Sequence, residues 1–573
     1  MMLDFSRCRL KPFKHQADDV AWLMDKSYAL IASEMRTGKT KIVIDAAQFL
    51  QVDHKVSNVI VVAPAPVVDV WADEKLGELA KHLWLNSPAE VIRYHSRLKA
   101  WKHAVPNGSP SFKWIVTNYE YLRSGSKIDE LLELCSPTTL LVLDESAYVK
   151  NWKAQQTQAC VALRRHVGRV WLLNGTPIFH SPLDLFSQGN LLHESILQCK
   201  YVTHYKARYA LEEVVRGSGG RVLTNPRSGQ PIKKIVKWTN LDDLQKRFAP
   251  ITVRRLQADC LDLPPKLEPT TITAQLKPKA WQAYKDLRDE MVTWLSEQEV
   301  VSPATAAIKT MRLAQATSGI LGGVEDANID SPLDEAFLES MMNDLEESND
   351  RCAVRSGADR EDAGPHGHNL RGDDGDRCSS ESSRSKAVGH RDGAEDHTAE
   401  VGREKLDACL WFMQQQLERD SYAKVAFFCR FRPEAERLAA ALKEVVPMVG
   451  LIVGGQKKAD RALALALVHP DHAPKQAPAA VVCTYGTASF GMNFSACSAC
   501  VSVSSARSHG LHAQSMDRAY GPQMNGPLAL FDVVAVGPKG QHTIDHIIID
   551  ARRKNEDVAS WTSAGWVRKL MEE

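Results

Sequence analysis

Three consecutive residues near the start of the chain, Gly38, Lys39 and Thr40, have the types and order that bind a nucleoside triphosphate. An apolar run (residues 28–33) precedes them and an amphipathic run follows, so they stand between a predicted strand and a predicted helix. Backbone N–H groups at a helix N-terminus hold phosphate oxygens, the lysine reaches the β and γ phosphates, and the hydroxyl binds Mg²⁺. The sequence therefore predicts a phosphate loop for Mg-ATP that includes Thr37, although Ser33 replaces the usual first glycine.

The adjacent acids Asp144 and Glu145 form a second candidate group, and they follow four aliphatic residues (140–143). At the end of a buried strand, an aspartate can hold Mg²⁺ directly or through water, and the next carboxylate can orient the attacking water. Two acids in a solvated turn would give the same letters. Together with the upstream loop, the pair predicts nucleotide hydrolysis. Thr40 and Asp144 are then the metal ligands, and Asp144 and Glu145 are catalytic.

Two smaller elements can contact the same nucleotide. Gln16 lies upstream of the loop, beside Phe13 and His15, where its amide can contact the edge of an adenine. Residues 174–177 (Asn-Gly-Thr-Pro) end another predicted strand, from which the hydroxyl of Thr176 can sense the phosphates. Both positions are compatible with one ATP site.

Gln514 and Arg518 occur near the other end of the chain, in the run HAQSMDRAYGPQ. An arginine supplied across a cleft stabilises the charge on the γ-phosphoryl group in the transition state, an effect worth about 10³–10⁵ in rate. Taken alone, Arg518 would be interpreted as a surface residue of a helix. Its position makes it a candidate catalytic residue, with Gln514 as a nucleotide contact.

Strand-like runs that end in turn or polar residues recur in two parts of the chain. In the first part they are residues 28–33, 58–64, 113–119, 139–145 and 169–175. In the second part they are residues 424–431, 448–455, 479–486, 499–505 and 530–537. Their alternation with amphipathic runs predicts an α/β fold with two parallel sheets wrapped by helices. Ligands bind such sheets at the carboxyl ends of the strands, where the candidate residues lie.

Composition divides the chain into four predicted segments. Residues 1–195 form a first α/β lobe and residues 404–573 form a second. Residues 196–325 mix aromatic and basic residues with helical periodicity, which predicts a mainly helical insertion. Residues 326–403 are polar and poor in large apolar residues, so they cannot offset their ordering entropy and are predicted to form a disordered linker. The histidines of this linker fit incidental composition better than a metal site.

The length, net charge, cysteine spacing and apolar runs of the chain argue against a single-core protein, a uniformly basic protein, a zinc protein and a membrane protein. A chain of 573 residues is too long for one hydrophobic core. Its net charge of +1 indicates no global basic field, so any nucleic-acid surface must be local. The close pair Cys497 and Cys500 has no second pair to complete a zinc site, which favours buried thiols. No run approaches the roughly 20 apolar residues of a membrane span, and no signal core is present. We therefore expect a soluble, cytoplasmic protein without a membrane partner.

Taken together, the motifs resemble those of the SWI/SNF-type ATPases of helicase superfamily two, over most of the chain outside the polar linker. The matching residues are the loop Met35–Thr40 after Gln16, Val62–Pro64 with Trp71, Asp144 and Glu145 with Lys150 and Asn151, Gly175–Pro177, Arg254 and Arg255 with Leu263–Lys266, residues 276–284 and 312–319, Lys405 with Leu406, Thr484 with Gly491–Asn493, and Gln514 with Arg518. The double arginine followed by Leu-Pro-Pro-Lys is the most specific match, because it belongs to the segment by which this family joins its lobes.

The resemblance implies two RecA-like lobes of the P-loop NTPase class and a DNA-dependent ATPase that translocates along the duplex. It also implies DNA contacts, made mainly to phosphates, at Asn118, Lys150, Asn151 and Thr484 and at basic residues of the helical insertion. Two other functions stay open. One is a helicase that separates the strands of forked DNA or RNA, and the other is an ATP-binding scaffold with weak hydrolysis.

Three departures from the family's pattern stand out. Arg36 replaces a glycine of the phosphate loop. Gly521 replaces a second arginine, expected three residues after Arg518. Ser146 and Ala147 follow the acidic pair in place of alanine and histidine, as in compact phage and bacterial members. We therefore expect a bacterial or phage-infected cell as the setting, and one arginine of the hydrolytic site is unaccounted for.

Overall fold

The computed structural model of the chain describes residues 3–94, 99–102, 112–175, 182–214, 221–222, 224, 229–231, 233–297, 311–321, 399–488, 491–506, 509–524 and 526–559. Their main strands assemble into two sheets, and each sheet is the centre of one lobe. Within these ranges, no helix is both long and apolar enough to cross a membrane.

The first lobe is built on an eight-stranded sheet with the order β10-β1-β7-β6-β2-β5-β3-β4. Neighbouring strands are parallel except at one edge, where β3 and β4 are antiparallel. An antiparallel pair, β8 and β9, lies outside this sheet. The strands are β1 (Tyr28–Ile31), β2 (Asn58–Ala63), β3 (Ala89–Arg93), β4 (Lys99–Lys102), β5 (Phe112–Asn118), β6 (Thr139–Leu143), β7 (Arg169–Leu173), β8 (Ala210–Val214), β9 (Lys233–Trp238) and β10 (Thr252–Val253).

The second lobe is built on a six-stranded, fully parallel sheet with the order β11-β18-β17-β14-β16-β15. A two-residue antiparallel pair, β12 and β13, stands apart from it. The strands are β11 (Thr270–Gln275), β12 (Ile320–Leu321), β13 (Ala399–Glu400), β14 (Lys424–Cys429), β15 (Met448–Ile452), β16 (Ala479–Thr484), β17 (Ala499–Ser502) and β18 (Ala529–Val536).

Helices cover both sheets, as expected for strands that are apolar on both faces. In β2, for example, Val59 and Val61 pack into the core on one face, and Ile60 and Val62 pack into the core on the other. The helices are Lys14–Leu23, Lys39–Val52, Ala65–Ala72, Glu78–His82, Gly125–Leu132, Gln155–Arg164, Asp184–Leu192, Glu194–Leu197, Val202–Tyr209, Leu241–Phe248, Gln257–Cys260, Pro278–Glu297, Glu404–Arg419, Arg432–Leu442, Lys458–Ala466, Tyr485–Ala488, His509–Met516 and Ile544–Ala559. Residues 311–317 are also helical.

The predicted α/β fold with two parallel sheets is confirmed, and every strand-like run identified in the sequence contains a strand. The segment predicted as a helical insertion (196–325) differs, because it supplies β10 to the first sheet and β11 to the second. The sequence pattern did not predict these two strands because few of their residues are buried. β10 has only two residues, and only two residues of the edge strand β11, Ile272 and Ala274, are buried. The boundaries of the four segments remain a prediction.

The polar segment is bordered on both sides by the short antiparallel strands β12 and β13, which pair with each other. Ile320 pairs with Glu400, and Leu321 pairs with Ala399. The guanidinium of Arg437 donates a hydrogen bond of 3.0 Å to the carbonyl of Gly319. This contact connects the strand pair to the second lobe. Disorder was predicted for residues 326–403, but residues 399–403 belong to the described fold because β13 pairs with β12. Residues 326–398 lie outside the described residues.

Replacing residues 322–398 with a short glycine-containing turn should leave the unfolding temperature unchanged or higher. The bordering strands are already paired, and each halving of a loop lowers its closure cost by about 0.6 kcal/mol. Thermal unfolding followed by circular dichroism measures the effect. A drop of more than about 5 °C would show that the segment stabilises the lobe, since such a shift corresponds to over 1 kcal/mol.

Candidate active site

The phosphate loop follows β1 and leads into the helix that begins at Lys39. Gly38 caps this helix with a φ of 87°, a left-handed conformation that glycine adopts without strain. A Cβ at this position would also collide with the side-chain amide of Gln16. Both features require glycine at this position, although the usual first glycine of the loop is absent.

The ammonium group of Lys39 points back into the loop. Its Nζ donates to the backbone carbonyls of Ser33 at 2.8 Å and Glu34 at 3.0 Å. Burial lowers the pKa of Lys39, and the nearby carboxylates of Glu145 and Asp144 oppose that shift. Thr40, the second residue of the helix, is partly buried beside it. Lys39 therefore lies between the loop backbone and the acidic pair, where an anionic ligand can replace the loop carbonyls as its partner.

Gln16 holds the loop from the side of the N-terminal helix. Its Oε1 accepts from the backbone N–H of Phe13 at 3.0 Å, and its Nε2 donates to the carbonyl of Thr37 at 3.2 Å. A ring nitrogen of His15 lies 2.9 Å from the same carbonyl. Thr37 in turn donates from its hydroxyl to the carbonyl of Glu34 at 2.8 Å. The amide predicted to contact adenine is engaged with the phosphate loop here, so its contact with a base remains a prediction.

The double-arginine segment clamps the other side of the loop. The N–H of Glu34 donates to the carbonyl of Arg255 at 2.8 Å, and the side-chain amide of Gln257 donates to the carbonyl of Met35 at 2.6 Å. The guanidinium of Arg255 donates two hydrogen bonds, of 2.9 and 2.6 Å, to the buried carboxylate of Asp19. The sequence contained this motif, but only the fold shows that it supports the phosphate loop.

The acidic pair lies directly after β6, at the carboxyl end of the sheet. One oxygen of Asp144 accepts from the indole N–H of Trp71 at 2.7 Å, and the other accepts from the backbone N–H of Glu145 at 2.9 Å. The hydroxyl of Tyr119 fixes the carbonyl of Asp144 at 2.8 Å. Glu145 has a φ of 53°, a left-handed conformation that costs a non-glycine residue about 1 kcal/mol or more. The backbone is thus strained where the predicted catalytic carboxylate projects.

The second lobe reaches this pair through Gln514 and Arg518. Gln514 Nε2 donates to Glu145 Oε1 at 3.0 Å, a direct hydrogen bond between the lobes. Burial lowers the pKa of Arg518, while the carboxylates of Glu145 and Asp144 oppose that shift. Burial also raises the pKa of Asp144, and burial together with Asp144 raises the pKa of Glu145 to about 7. The cations Lys39 and Arg518 and the acids Asp144 and Glu145, although far apart in sequence, therefore form one cluster.

A family model for the SNF2-related domain matches residues 15–322, more than half of the 573-residue chain. The chain belongs to the SNF2-related family. The family predicted from the motifs is thereby confirmed.

Two curated relatives illustrate how far the similarity extends. The DNA annealing helicase and endonuclease ZRANB3 of Homo sapiens is 26% identical over 318 residues, which make up 54% of this chain and 26% of the relative. The SWI/SNF-related matrix-associated actin-dependent regulator of chromatin subfamily A-like protein 1 homolog of Caenorhabditis elegans is 25% identical over 257 residues, 44% of this chain and 32% of the relative. The SNF2-related chain thus matches only about a quarter to a third of the length of these relatives.

A solved structure is also similar to this SNF2-related protein. The Sulfolobus solfataricus SWI2/SNF2 ATPase core in complex with dsDNA is 15% identical, with a TM-score of 0.37. The match covers 94% of this chain and 90% of that chain.

The four predicted nucleic-acid contacts of the SNF2-related chain lie in different local environments. Asn118 accepts from the backbone N–H of Tyr121 at 2.6 Å, and exposed Asn151 accepts from the N–H of Lys153 at 3.1 Å, so both cap turns. Lys150 is partly buried. Thr484 is 1% exposed and donates to the hydroxyl of Thr487 at 3.1 Å, so it has no surface for a nucleic acid in this conformation. Thr176, the hydroxyl expected to sense the phosphates, lies outside the described residues.

A basic groove brings Lys150 and Asn151 together with a lysine of the segment predicted as a helical insertion. It has a volume of about 590 Å³ and is lined by Lys150, Asn151, Lys153, Lys200 and Tyr201, among other residues. Lys200 and Tyr201 come from the segment predicted as a helical insertion, whose basic residues were expected among the DNA contacts, although the sequence did not indicate which of them.

The donor set at the acidic pair fits Mg²⁺ bound to a nucleotide. The hydroxyl of Thr40 and the carboxylate of Asp144 are the hard oxygen ligands that this ion prefers, and phosphate and water oxygens commonly complete its shell. Among the described residues, no group of three or more His, Cys, Asp or Glu side chains is arranged to hold a metal ion.

Glu145 should make the stability of the protein fall with rising pH in the absence of metal and nucleotide. Its pKa is about 7 in the fold against 4.5 ordinarily, so between these values the folded state holds a proton that the unfolded chain has lost. The contribution of Glu145 to the free energy of unfolding therefore declines from about pH 4.5 to 7 and is lowest above pH 7. Because the side chain keeps some solvent contact, we expect a change of about 1 to 2 kcal/mol.

Thermal unfolding in EDTA measures this effect against Glu145→Gln, which cannot titrate. The unfolding temperature of the wild type relative to the variant should fall by about 3 °C between pH 5 and 7.5. A difference that does not change with pH would contradict the raised pKa.

Proposed function

We propose that this SNF2-related protein is a DNA-dependent ATPase that uses Mg-ATP to move along duplex DNA. The observation that carries the proposal is the contact of Gln514 with Glu145, beside Arg518. Because these groups come from different lobes, the site is complete only when the lobes are closed on each other. A site of this kind couples hydrolysis to lobe movement, which is what a motor requires.

The nucleotide is held by the first lobe in this proposal. The N–H groups at the start of the helix Lys39–Val52 and the ammonium of Lys39 bind the phosphates. Thr40 and Asp144 would hold Mg²⁺, which neutralises phosphate charge when bound. Glu145 orients the attacking water as a carboxylate. Arg518 stabilises the charge on the γ-phosphoryl group, and Gln514 keeps Glu145 in place across the cleft.

Duplex DNA is proposed as the partner because of the family and the basic groove. The name of the human relative describes a DNA annealing helicase. Lys150, Lys153 and Lys200 line the groove, and a motor that advances along any sequence needs contacts to phosphates rather than to bases. Such binding should weaken strongly with salt, because each neutralised phosphate releases counterions. Asn118 and Asn151 remain candidate contacts, and Thr484 would need to become exposed to join them.

ATP turnover measured across titrations of duplex DNA, single-stranded DNA and RNA tests the proposal. We expect duplex DNA to stimulate turnover the most, and replacement of Lys153 and Lys200 by alanine to raise the DNA concentration needed. Lys246, an exposed lysine on another helix of the chain, offers a control substitution. Stimulation by none of these nucleic acids would rule out the proposal, and strand separation on forked DNA in a parallel assay would favour a helicase.

A further inference from the structure

Arg36 is the one residue of the phosphate loop, among those described, for which a side-chain hydrogen bond to the second lobe is observed. Its Nη2 donates to Asn493 Oδ1 at 2.9 Å, and its Nη1 donates to the hydroxyl of Ser495 at 3.2 Å. Nη2 also donates to the backbone carbonyl of Arg518. The guanidinium thus leaves its own loop and binds three groups across the cleft.

The space that receives this guanidinium exists because residue 521 is a glycine. A Cβ on Gly521 would collide with Nη1, Cδ and Cζ of Arg36. The two departures from the family's pattern are therefore in contact: an arginine is gained at position 36, and a side chain is lost at position 521. Only one guanidinium fits between these positions.

The contacts of Arg36 converge on the segment that carries Arg518. The carbonyl of Arg518 accepts from the N–H of Phe494 at 2.8 Å as well as from Arg36. Asn493 is fixed in turn by Gln523, to which its amide donates at 3.0 Å. Holding this carbonyl fixes the backbone from which the Arg518 side chain extends toward Glu145 and Asp144.

The backbone of the phosphate loop is strained at Arg36. Arg36 has a φ of 61°, a left-handed conformation that disfavours every residue with a Cβ. Strain of this kind persists only where surrounding contacts compensate for it. Burial and the proximity of Arg518 lower the pKa of Arg36 only to about 10, so the guanidinium is still charged at neutral pH.

We propose that Arg36 is a positioning residue for hydrolysis: it supplies from the phosphate loop the guanidinium that Gly521 lacks, and it holds the Arg518 backbone when the lobes close. This inference rests on the proposed ATPase function and deepens it. Nucleotide binding to the first lobe and placement of Arg518 then become one coupled event, because the same loop performs both.

Exchanging the two residues tests the proposal. Arg36→Gly should lower kcat for ATP about 10²-fold, the effect of a misplaced catalytic group, while the Kd for ATP stays within about threefold. Gly521→Arg alone should lower kcat similarly, because two guanidinium groups compete for one space. The double variant Arg36→Gly with Gly521→Arg should recover to within about tenfold of wild type. Wild-type kcat in Arg36→Gly, or a double variant no faster than the slower single variant, would overturn the proposal.

A second readout does not depend on turnover. Hydrogen exchange of the backbone amides of residues 491–496 should be faster in Arg36→Gly than in wild type and slow again in the double variant. Equal exchange in all three proteins would refute the positioning contact. If the wild type hydrolyses no ATP, the proposed function fails, and this measurement still decides whether Arg36 holds the segment.

Discussion

Glu145→Gln should reduce ATP turnover about 10³-fold while ATP binding persists. The glutamine has the same size and keeps an oxygen for the amide of Gln514, so the contact between the lobes is preserved. It cannot accept a proton from the attacking water, and the loss of a positioned base costs about 10²–10⁴ in rate. Removal of a partly buried acid whose pKa is raised to about 7 should also stabilise the protein above that pH.

Steady-state phosphate release measures the turnover of Glu145→Gln, and equilibrium binding of a fluorescent ATP analogue measures its affinity for ATP. Glu133→Gln is a matched control, because Glu133 is an exposed glutamate of the same lobe. It should change neither quantity. Turnover by Glu145→Gln within about tenfold of wild type would remove Glu145 from the proposed role in hydrolysis.

Arg518→Ala should lower kcat about 10³-fold or more and change the Kd for ATP only slightly. An arginine supplied across a cleft contributes about 10³–10⁵ to phosphoryl transfer, because it is stronger in the transition state than in the ground state. Here Arg518 is partly buried beside Glu145 and Asp144, whose carboxylates oppose the lowering of its pKa by burial. Arg518→Lys should recover little of the loss, since a single ammonium group lacks the two-pronged geometry of a guanidinium.

Arg419→Ala, on an exposed position of the second lobe, provides the matched control for this variant. Single-turnover hydrolysis of radiolabelled ATP separates the chemical step from product release. Should Arg518→Ala instead raise the Kd for ATP in proportion to the loss of rate, the residue would act in ground-state binding and not in catalysis.

Much of the first lobe was predictable from the sequence because its signals are local. A strand, a glycine that must adopt a positive φ and a helix start succeed one another within a few residues at Gly38. Asp144 and Glu145 follow a run of four buried aliphatic residues, so their place at the end of a strand was evident. The strand β10 was missed because it has only two residues, and the edge strand β11 was missed because only two of its six residues are buried.

Contacts between residues distant in sequence were not predictable in the same way. Arg36 and Gly521 were identified as separate departures, and nothing in either segment indicates that the two positions touch. The contact of the Gln16 amide with the carbonyl of Thr37 was not anticipated, and its expected contact with a base stays a prediction. Thr484 was expected at DNA, yet the last residue of β16 is buried in the second lobe. In each case the partner is chosen by the fold and not by the local pattern.

The most direct test of the account is phosphate release by wild type beside Lys39→Ala, at saturating Mg²⁺, ATP and duplex DNA. Lys39 lies between the phosphate loop and the acidic pair, so hydrolysis in this cleft requires it. We expect wild type to be at least about 10²-fold faster than the variant, the scale of losing one preorganised cationic contact to developing charge. Equal rates in the two proteins would contradict hydrolysis at this site and leave an ATP-binding scaffold as the function.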